Sequence, residues 1–239
     1  MVIKGLEKLS LSDFPGYLSC VVFTPGCSLA CPFCHNRELV KNSPKLKVIS
    51  EKEVFEFLDK RKGILEGVVV TGGEPTLQPG LLKFLKEVKN LGYKTKLDTN
   101  GTKPSVLEKI LKLNLADFIA IDVKTTLGTS EYKKLGLKSS LSPILRSLKL
   151  ASQFDVPLEL RTTVVPKLHQ PKTIEKLARR LSKLFGDQIK KSQVKWVLQT
   201  FRPGTCLDEK YNDENPYSKS EMKNIMESVK PVFSAVLLR

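Results

Sequence analysis

The chain has 239 residues, a net charge of +15 from 40 Lys and Arg against 25 Asp and Glu, and 41% hydrophobic residues. That apolar fraction is ample for a packed core and excludes global disorder, and the length fits one large α/β domain or two small ones. The longest aliphatic runs are too short to span a membrane, and the first residues lack the apolar segment of a secretory signal. We therefore expect a soluble, cytoplasmic, globular protein.

The positive charge is spread along the whole chain, mostly inside amphipathic helical patterns such as 81–90 and 106–114. No arginine-rich arm, zinc-finger spacing or aromatic RNA-binding signature accompanies it. A solvated, lysine-rich surface is the first explanation, and an acidic protein partner attracted by the electric field is the second. Neither nucleic acid nor a membrane is expected as a partner.

Short apolar or β-branched runs alternate with helical patterns along the chain. Near-continuous apolar runs such as 118–121 suit parallel strands that are buried on both faces. Two helix capping boxes are predicted, one by Ser50 with Glu53 and one by Ser218 with Glu221. Between them, Pro143 predicts the first turn of a helix. The predicted strands are 18–24, 67–71, 94–98, 117–123, 158–165 and 194–200, and the predicted helices are 51–62, 80–91, 104–114, 142–154, 172–185 and 219–229.

Six strand–helix units in series predict one α/β domain, a partial (β/α)6 barrel with a parallel sheet and helices outside. Within this single domain of residues 1–239, residues 1–17 lead in and residues 205–239 add a loop, a helix and a tail. The run 232–238 is either one more strand or a packed tail. Because ligands bind beyond the carboxyl ends of parallel strands, we expect the functional residues on the loops that follow the strands.

Three of the five cysteines, Cys27, Cys31 and Cys34, fall within eight residues as C-x3-C-x2-C. An odd number of cysteines argues against a disulfide scaffold. A structural zinc ion and a ferredoxin-type cluster both need four ligands, whereas three thiolates on a 4Fe–4S cubane leave one iron open to a small molecule. We favour the open cluster over a zinc knuckle or chance clustering. Cys206 could add a ligand only if the fold brings it back, and Cys20 is expected to be a small buried hydrophobe.

The second predicted strand ends in a Gly-Gly-Glu-Pro segment. Gly72 and Gly73 leave this strand end without side chains, so that a ligand can approach the backbone closely, and Glu74 adds a carboxylate beside the gap. Taken alone, such a segment is more often a simple turn. Beside an open cluster iron it becomes a candidate receptor for an amino group.

Charged residues end the next predicted strands. Asp98 and Asp122 could converge to bind a cation, position hydroxyls or act in acid–base chemistry, although each could also be a helix cap or a loop acceptor. Lys124 and Arg161 bring positive charge to the same edge, where an arginine suits a carboxylate or sugar hydroxyls and a surface ion pair explains the lysine equally well. Phe33 either stacks on a flat cofactor ring or plugs its loop against the core.

The segment CSLACPFCHN at 27–36, with the loops above, resembles the radical S-adenosylmethionine (SAM) superfamily. The segments SDFPG at 12–16 and VFTPGC at 22–27 narrow the resemblance to activating enzymes of glycyl-radical proteins, and most closely to those of anaerobic ribonucleoside-triphosphate reductase. Pyruvate formate-lyase activators carry a histidine where this chain has Phe201 and Arg202, which favours the reductase. Activation of another glycyl radical enzyme, or a small-molecule reaction such as that of 7-carboxy-7-deazaguanine synthases, is the alternative.

The resemblance implies that one 4Fe–4S cluster is held by three cysteines and that SAM chelates its fourth iron. The reduced cluster would break SAM into methionine and a 5′-deoxyadenosyl radical, which would take a hydrogen atom from a glycine of the reductase. The electron would come from a reduced flavodoxin or ferredoxin. The implied residues are Cys27, Cys31 and Cys34 for iron; Gly72, Gly73 and Glu74 for the SAM amino group; Asp98, Asn100 and Arg161 for its ribose and carboxylate; Asp98 and Asp122 for a monovalent cation; and Asp13 and Lys124 for catalysis near the substrate glycine. No role is assigned to His169.

Overall fold

A computed structural model of the chain describes residues 1–186, 189 and 194–239. Its strands are β1 (Gly5–Ser10), β2 (Ser19–Thr24), β3 (Gly67–Gly72), β4 (Lys94–Thr99), β5 (Phe118–Asp122), β6 (Leu158–Val164), β7 (Val194–Thr200) and β8 (Val236–Leu238). Its helices are α1 (Arg37–Val40), α2 (Glu51–Asp59), α3 (Leu81–Asn90), α4 (Pro104–Lys112), α5 (Thr129–Lys133), α6 (Ser142–Ala151), α7 (Pro171–Phe185) and α8 (Lys219–Val229), with 3₁₀ turns at Pro75–Leu77 and Glu209–Tyr211. None of the helices within these described residues is long and apolar enough to cross a lipid bilayer.

The chain forms two compact units, of which the first contains residues 1–28, 36–99 and 105–119. In this first unit β2, β3 and β4 pair in parallel, and β1 adds an antiparallel strand beside β2. The side chains of Val68, Val69 and Val70 in β3 are wholly buried, as expected for a parallel strand covered on both faces. Phe55 of α2 stacks on Phe84 of α3, with 5.3 Å between ring centroids. Helices and parallel strands therefore share one apolar core.

The second unit contains residues 29–35, 100–104 and 120–239. Here β6, β7 and β8 pair in parallel, and the Val123 N–H, just after β5, donates to the Arg161 carbonyl of β6 over 2.8 Å. Trp196 of β7 is wholly buried, and its indole N–H donates to Thr162 Oγ1 over 3.0 Å. The indole packs edge-on against Phe233 at 5.6 Å. This unit thus contains parallel strands packed with an aromatic core.

The predicted elements are present, with ends that differ by at most three residues. Both capping boxes are confirmed, since the hydroxyls of Ser50 and Ser218 accept from the third helical amide and receive the reciprocal bond. Pro143 lies in the first turn of α6, as predicted. Of the two alternatives for residues 232–238, the structure supports the additional strand, since Val236–Leu238 form β8. The α/β class is confirmed, and the single-domain organisation stays a prediction.

Three elements within the described ranges were not predicted. The strand β1 has most of its side chains partly or fully exposed, so its sequence carries no apolar pattern. The helices α1 and α5 have four and five residues, too few for a 3.6-residue periodicity to show. Of these, α5 matters most for the functional residues below.

Candidate functional site

Cys27 follows the carboxyl end of β2, in a loop that is bonded to the end of β3. The Glu74 N–H donates to the Gly26 carbonyl over 2.7 Å, and the Gly73 N–H donates to the Thr24 carbonyl over 2.8 Å. A Cβ at position 73 would lie 1.9 Å from the Gly26 oxygen, so only glycine permits this approach. The structure therefore brings the Gly-Gly-Glu-Pro segment against the residue that precedes Cys27.

The Glu74 side chain is wholly buried. Its Oε1 accepts from the Thr76 N–H at 3.1 Å, from Thr76 Oγ1 at 2.5 Å and from Thr99 Oγ1 at 2.7 Å. These bonds direct the carboxylate into the loop, where it holds the turn. The reception of an amino group by this carboxylate stays a prediction, and the peptide groups of Gly72 and Gly73 are the other candidates at this strand end.

Asp98, in β4, is paired with a buried lysine. Lys96 Nζ donates to Asp98 Oδ1 over 2.5 Å, and the two side chains are only 1% and 7% exposed. Residues two apart on a strand share a face, which explains the pairing. Lys96 was not predicted, because nothing in the sequence distinguishes one buried lysine from the many exposed ones. A monovalent cation at Asp98 would have to share the carboxylate with this ammonium group.

Asp122 and Lys124, at the end of β5, form an ion cluster with Arg161 in the middle of β6. Asp122 Oδ1 accepts from Arg161 Nε over 2.8 Å, and Oδ2 accepts from Lys124 Nζ over 2.8 Å. Burial alone would raise the pKa of Asp122, but the charges of Arg161 and Lys124 outweigh it and hold this pKa well below its usual range. The three residues that the sequence placed on one edge are thus in direct contact. Their roles toward SAM stay predictions.

Cys31 lies within electrostatic reach of this ion cluster. Burial would lower the pKa of Lys124, but the charges of Asp122 and Cys31 raise it above its usual range. The connection runs through α5, since the Lys124 N–H donates to Tyr132 Oη over 3.2 Å and the cysteine loop bonds to the residues just after this helix. There the Ala30 N–H donates to the carbonyl of residue 135 over 2.8 Å. The missed helix α5 therefore links the cysteine loop to the end of β5.

The far end of the cysteine loop is bonded to the segment that follows β7. The Asp208 N–H donates to the Pro32 carbonyl over 2.9 Å. His35 Nε2 donates to the Arg202 carbonyl over 2.6 Å, and its ring stacks on Phe201 at 5.7 Å. Phe201 and Arg202 are therefore packed against the histidine that follows the cysteine motif.

The two remaining thiols are buried. Cys20 lies within β2, where burial raises its pKa to about 12, as expected for a residue that serves as a small hydrophobe. Cys206 is brought back to the cysteine loop, and burial followed by the charge of Cys34 raises its pKa. Its Sγ lies 3.8 Å from the Tyr211 carbonyl oxygen. The fold thus brings Cys206 back toward the cysteine loop, and a role as an additional ligand stays a prediction.

Phe33 and Asn100 are both buried. Phe33 is 4% exposed, which favours the interpretation that it plugs the loop, and its stacking on a cofactor ring stays a prediction. Asn100 is 5% exposed, and its Oδ1 accepts from the Thr102 N–H at 3.0 Å and from Thr102 Oγ1 at 2.8 Å. Asn100 therefore stabilises the turn after β4 in addition to its predicted contact with SAM.

Asp13 lies at the amino end of β2, whereas the cysteine loop leaves the carboxyl end. Asp13 Oδ2 accepts from Ser10 Oγ over 2.5 Å, and Ser10 pairs with Ser19, the first residue of β2. A strand of six residues rises about 16 Å between its ends. The role of Asp13 near the substrate glycine stays a prediction that no described contact tests.

The cysteine donors fit a 4Fe–4S cluster in their chemistry and spacing. Thiolates are the usual ligands of such clusters, and the five cysteines, all of them in the described ranges, form no disulfide. Among the residues that the structure describes, no three His, Cys, Asp or Glu side chains are arranged to hold a single metal ion. The thiolates of a cubane bind different iron atoms, so they need not converge on one point.

Residues 21–181 match the sequence model of the Radical SAM superfamily. The chain belongs to the radical SAM superfamily. It is therefore an enzyme whose cofactors are a 4Fe–4S cluster and SAM, as the sequence predicted.

Two curated relatives of this superfamily member are named as activating enzymes. A protein of Methanocaldococcus jannaschii, named as a candidate glycyl-radical enzyme activating enzyme, is 29% identical over 100% of this chain and 95% of its own. The pyruvate formate-lyase-activating enzyme of Clostridium pasteurianum is 33% identical over 74% of each chain. These relatives confirm the predicted family.

Solved structures of radical SAM proteins share the fold. A radical SAM methyltransferase from Sphaerobacter thermophilus has a TM-score of 0.69 at 12% identity, over 97% of this chain and 68% of its own. A domain of a pyruvate formate-lyase-activating enzyme from Bacteroides vulgatus has a TM-score of 0.56 at 18% identity, over 73% of this chain and 99% of its own. The predicted fold of the radical SAM type is thus confirmed.

Proposed function

We propose that the chain is an activase that uses the 5′-deoxyadenosyl radical of SAM to remove a hydrogen atom from a backbone glycine of anaerobic ribonucleoside-triphosphate reductase. The observation that supports the reaction class is the hydrogen bond from the Glu74 N–H to the Gly26 carbonyl, which holds the Gly-Gly-Glu-Pro loop directly beside the first cysteine of the motif. The match to an activating enzyme along the whole chain supports a protein glycine as the substrate.

The residues of the chain would bind the cofactors in two groups. Cys27, Cys31 and Cys34 would hold the cluster, which when bound and reduced supplies the electron that cleaves SAM. The backbone at 72–73 would receive the amino group of SAM. The ion cluster of Asp122, Lys124 and Arg161 would offer fixed charges to the carboxylate and ribose, since its members are already paired and need no rearrangement.

The choice of the reductase as partner rests on Phe201 and Arg202. This segment lacks the histidine that formate-lyase activators carry here. It is instead contacted by His35, whose ring stacks on Phe201 and whose Nε2 donates to the Arg202 carbonyl. Pyruvate formate-lyase is the second candidate, because relatives with 31–33% identity are named as its activators.

A reduced flavodoxin or ferredoxin is proposed as the electron donor. Such proteins are often acidic, and the chain carries a net charge of +15. Attraction between opposite charges accelerates association and weakens as salt is added. The proposal therefore includes an electron-transfer rate that falls with ionic strength.

The test is an anaerobic EPR experiment in which reduced, reconstituted protein is mixed with SAM and either the reductase or pyruvate formate-lyase of the same organism. A glycyl-radical doublet that requires SAM, this protein and the reductase supports the proposal in full. A doublet with pyruvate formate-lyase alone transfers the activity to the second candidate. Formation of 5′-deoxyadenosine with neither doublet contradicts both partners, and turnover of a small molecule would then favour the alternative reaction class. The Cys34→Ala variant is the control without a cluster.

A further inference from the structure

His169, which has no role in the proposed function, is wholly buried and binds the backbone at Lys124. Its Nδ1 accepts from the Val165 N–H over 3.0 Å, and its Nε2 lies 2.9 Å from the Lys124 carbonyl oxygen. A backbone N–H can only donate and a carbonyl can only accept. The ring is therefore neutral, and its proton is on Nε2.

The peptide groups of Lys124 are held on both sides. The N–H donates to Tyr132 Oη over 3.2 Å, and the carbonyl accepts from His169. The side chain then reaches Asp122 Oδ2 over 2.8 Å. Because both polar groups of the backbone are fixed, only the side-chain torsions of Lys124 are left to vary, and the salt bridge fixes those.

His169 is itself held independently of the cysteine loop. Its N–H donates to the Val165 carbonyl over 2.7 Å, and Tyr217 Oη donates to its carbonyl over 3.2 Å. Two residues earlier, Lys167 forms a salt bridge with Glu214 over 2.7 Å. Contacts with the segment before α8 thus hold His169 in place, so that its Nε2–H points at the Lys124 carbonyl.

Hydrogen bonds connect Lys124 to the neighbour of Cys31: the Lys124 N–H donates to Tyr132 Oη, and the Ala30 N–H donates over 2.8 Å to the carbonyl of residue 135, whose own N–H donates to the Tyr132 carbonyl over 3.0 Å. In keeping with this geometry, the charge of Cys31 raises the pKa of Lys124. A positive charge near a thiolate ligand stabilises the reduced cluster, which carries one more negative charge than the oxidised one. We infer that His169 is a positioning residue, which holds Lys124 and its ammonium group on the side of the cysteine loop and thereby raises the midpoint potential of the cluster. The inference rests on the proposed function in that Cys31 is taken as a cluster ligand.

The test measures the midpoint potential of the one-electron couple of the reconstituted cluster, without SAM or partner, by EPR-monitored redox titration. We expect His169→Leu and Lys124→Met to shift the potential in the same, more negative direction. His169→Gln, whose amide can still donate to the Lys124 carbonyl, should restore most of the wild-type value. Tyr217→Phe removes a bond to the same histidine without touching Lys124, and we expect it to leave the potential unchanged. Thermal unfolding of each variant reports on stability separately.

An unchanged potential in folded, iron-replete His169→Leu overturns the inference, as does an unchanged potential in Lys124→Met. Equal shifts in His169→Gln and His169→Leu also contradict it, because loss of packing rather than of the donor would then explain both. If His169→Leu does not fold, His169→Asn replaces it, since its side chain is too short to reach the carbonyl. Failure of the wild-type chain to load any cluster contradicts the proposed function instead.

Discussion

The amide of Glu74 donates to the carbonyl of Gly26 over 2.7 Å and so joins the Gly-Gly-Glu-Pro loop to the residue before Cys27. Gly26 has a φ of +79°, which favours glycine, so the geometry of both loops depends on residues without side chains. Neither loop can shift alone without breaking this bond. Substitutions in one loop are therefore expected to act on ligands held by the other.

Gly73→Ala tests this contact directly. The new Cβ would lie 1.9 Å from the Gly26 oxygen, so backbone must move. Overpacking of this kind typically costs about 1–3 kcal/mol, and we expect SAM affinity to fall by roughly tenfold or more. Equilibrium titration of SAM into the reconstituted protein measures it. The control is Gly92→Ala, which has no neighbour within 4 Å and should lose stability through its φ of +93° while keeping SAM affinity. Equal affinities of the Gly73→Ala variant and the wild type would contradict the close approach.

Substitutions of Glu74 separate its charge from its hydrogen bonds. Because its Oε1 accepts three bonds from Thr76 and Thr99, a glutamine can keep these bonds without the charge. We expect Glu74→Ala to weaken SAM binding while iron is retained. If the residue acts by holding the loop, Glu74→Gln binds SAM nearly as the wild type does. A loss in Glu74→Gln as large as in Glu74→Ala would assign the carboxylate a direct contact with the SAM amino group.

Cys31→Ala tests the assignment of cluster ligands. A thiolate ligand cannot be replaced by a methyl group, so we expect the loss of iron, sulfide and the visible absorbance of the cluster. The matched controls are Cys20→Ala and Cys206→Ala, which remove other buried thiols and should keep a full cluster. Retention of the cluster in Cys31→Ala would refute the assignment. Its loss in Cys206→Ala would show that this residue takes part in cluster binding.

Asp122→Asn should strongly destabilise the fold. The carboxylate compensates both Arg161 and Lys124, whose side chains are only 12% and 20% exposed. Removal of one partner from a buried ion cluster leaves uncompensated charge, and we expect the free energy of unfolding to fall by about 3 kcal/mol. Urea unfolding of the apoprotein measures the change. Asp59→Asn, which breaks an exposed pair with Lys62, should show no measurable change. Equal stability of the two variants would contradict the burial of the ion cluster.

The stability of the apoprotein should depend on pH through His169. Burial lowers the pKa of this histidine from 6.5 to about 4. Between these values the unfolded chain binds more protons than the folded one, so stability is complete above pH 6.5 and falls as pH decreases toward 4. The full effect is about 3 kcal/mol. We expect His169→Gln to remove this part of the dependence and His35→Gln to keep it. A variant His169→Gln with the wild-type pH profile would contradict the burial of a neutral ring.

The fold could be predicted from the sequence wherever burial leaves a pattern. The valines of β3 form a continuous apolar run because both faces of a parallel strand are covered, and the capping boxes of α2 and α8 depend on residues only three positions apart. Features of this kind depend on residues that are close in the sequence, so they can be predicted without knowledge of tertiary contacts. An exposed edge strand such as β1 and a five-residue helix such as α5 leave no such pattern.

The candidate site was less predictable, because side-chain direction depends on tertiary contacts. Asp122, Lys124 and Arg161 were expected on one edge, and the structure joins them in direct ion pairs. Their roles stay predictions. The inward orientation of Glu74 depends on Thr99, a residue 25 positions away, and could not be foreseen. The same holds for His169, whose partner Lys124 lies 45 positions earlier in the chain.

Trp196 gives the second unit a built-in optical probe. It is the only tryptophan in the sequence, so the intrinsic indole fluorescence of the protein arises from β7 alone. Because its ring is wholly buried, emission should lie at short wavelength in the folded unit and shift to the red on unfolding. Its hydrogen-bond acceptor, Thr162 Oγ1, also donates to the Val123 carbonyl over 2.7 Å, directly before Lys124. The emission of one residue can therefore follow rearrangements around the ion cluster in the apoprotein.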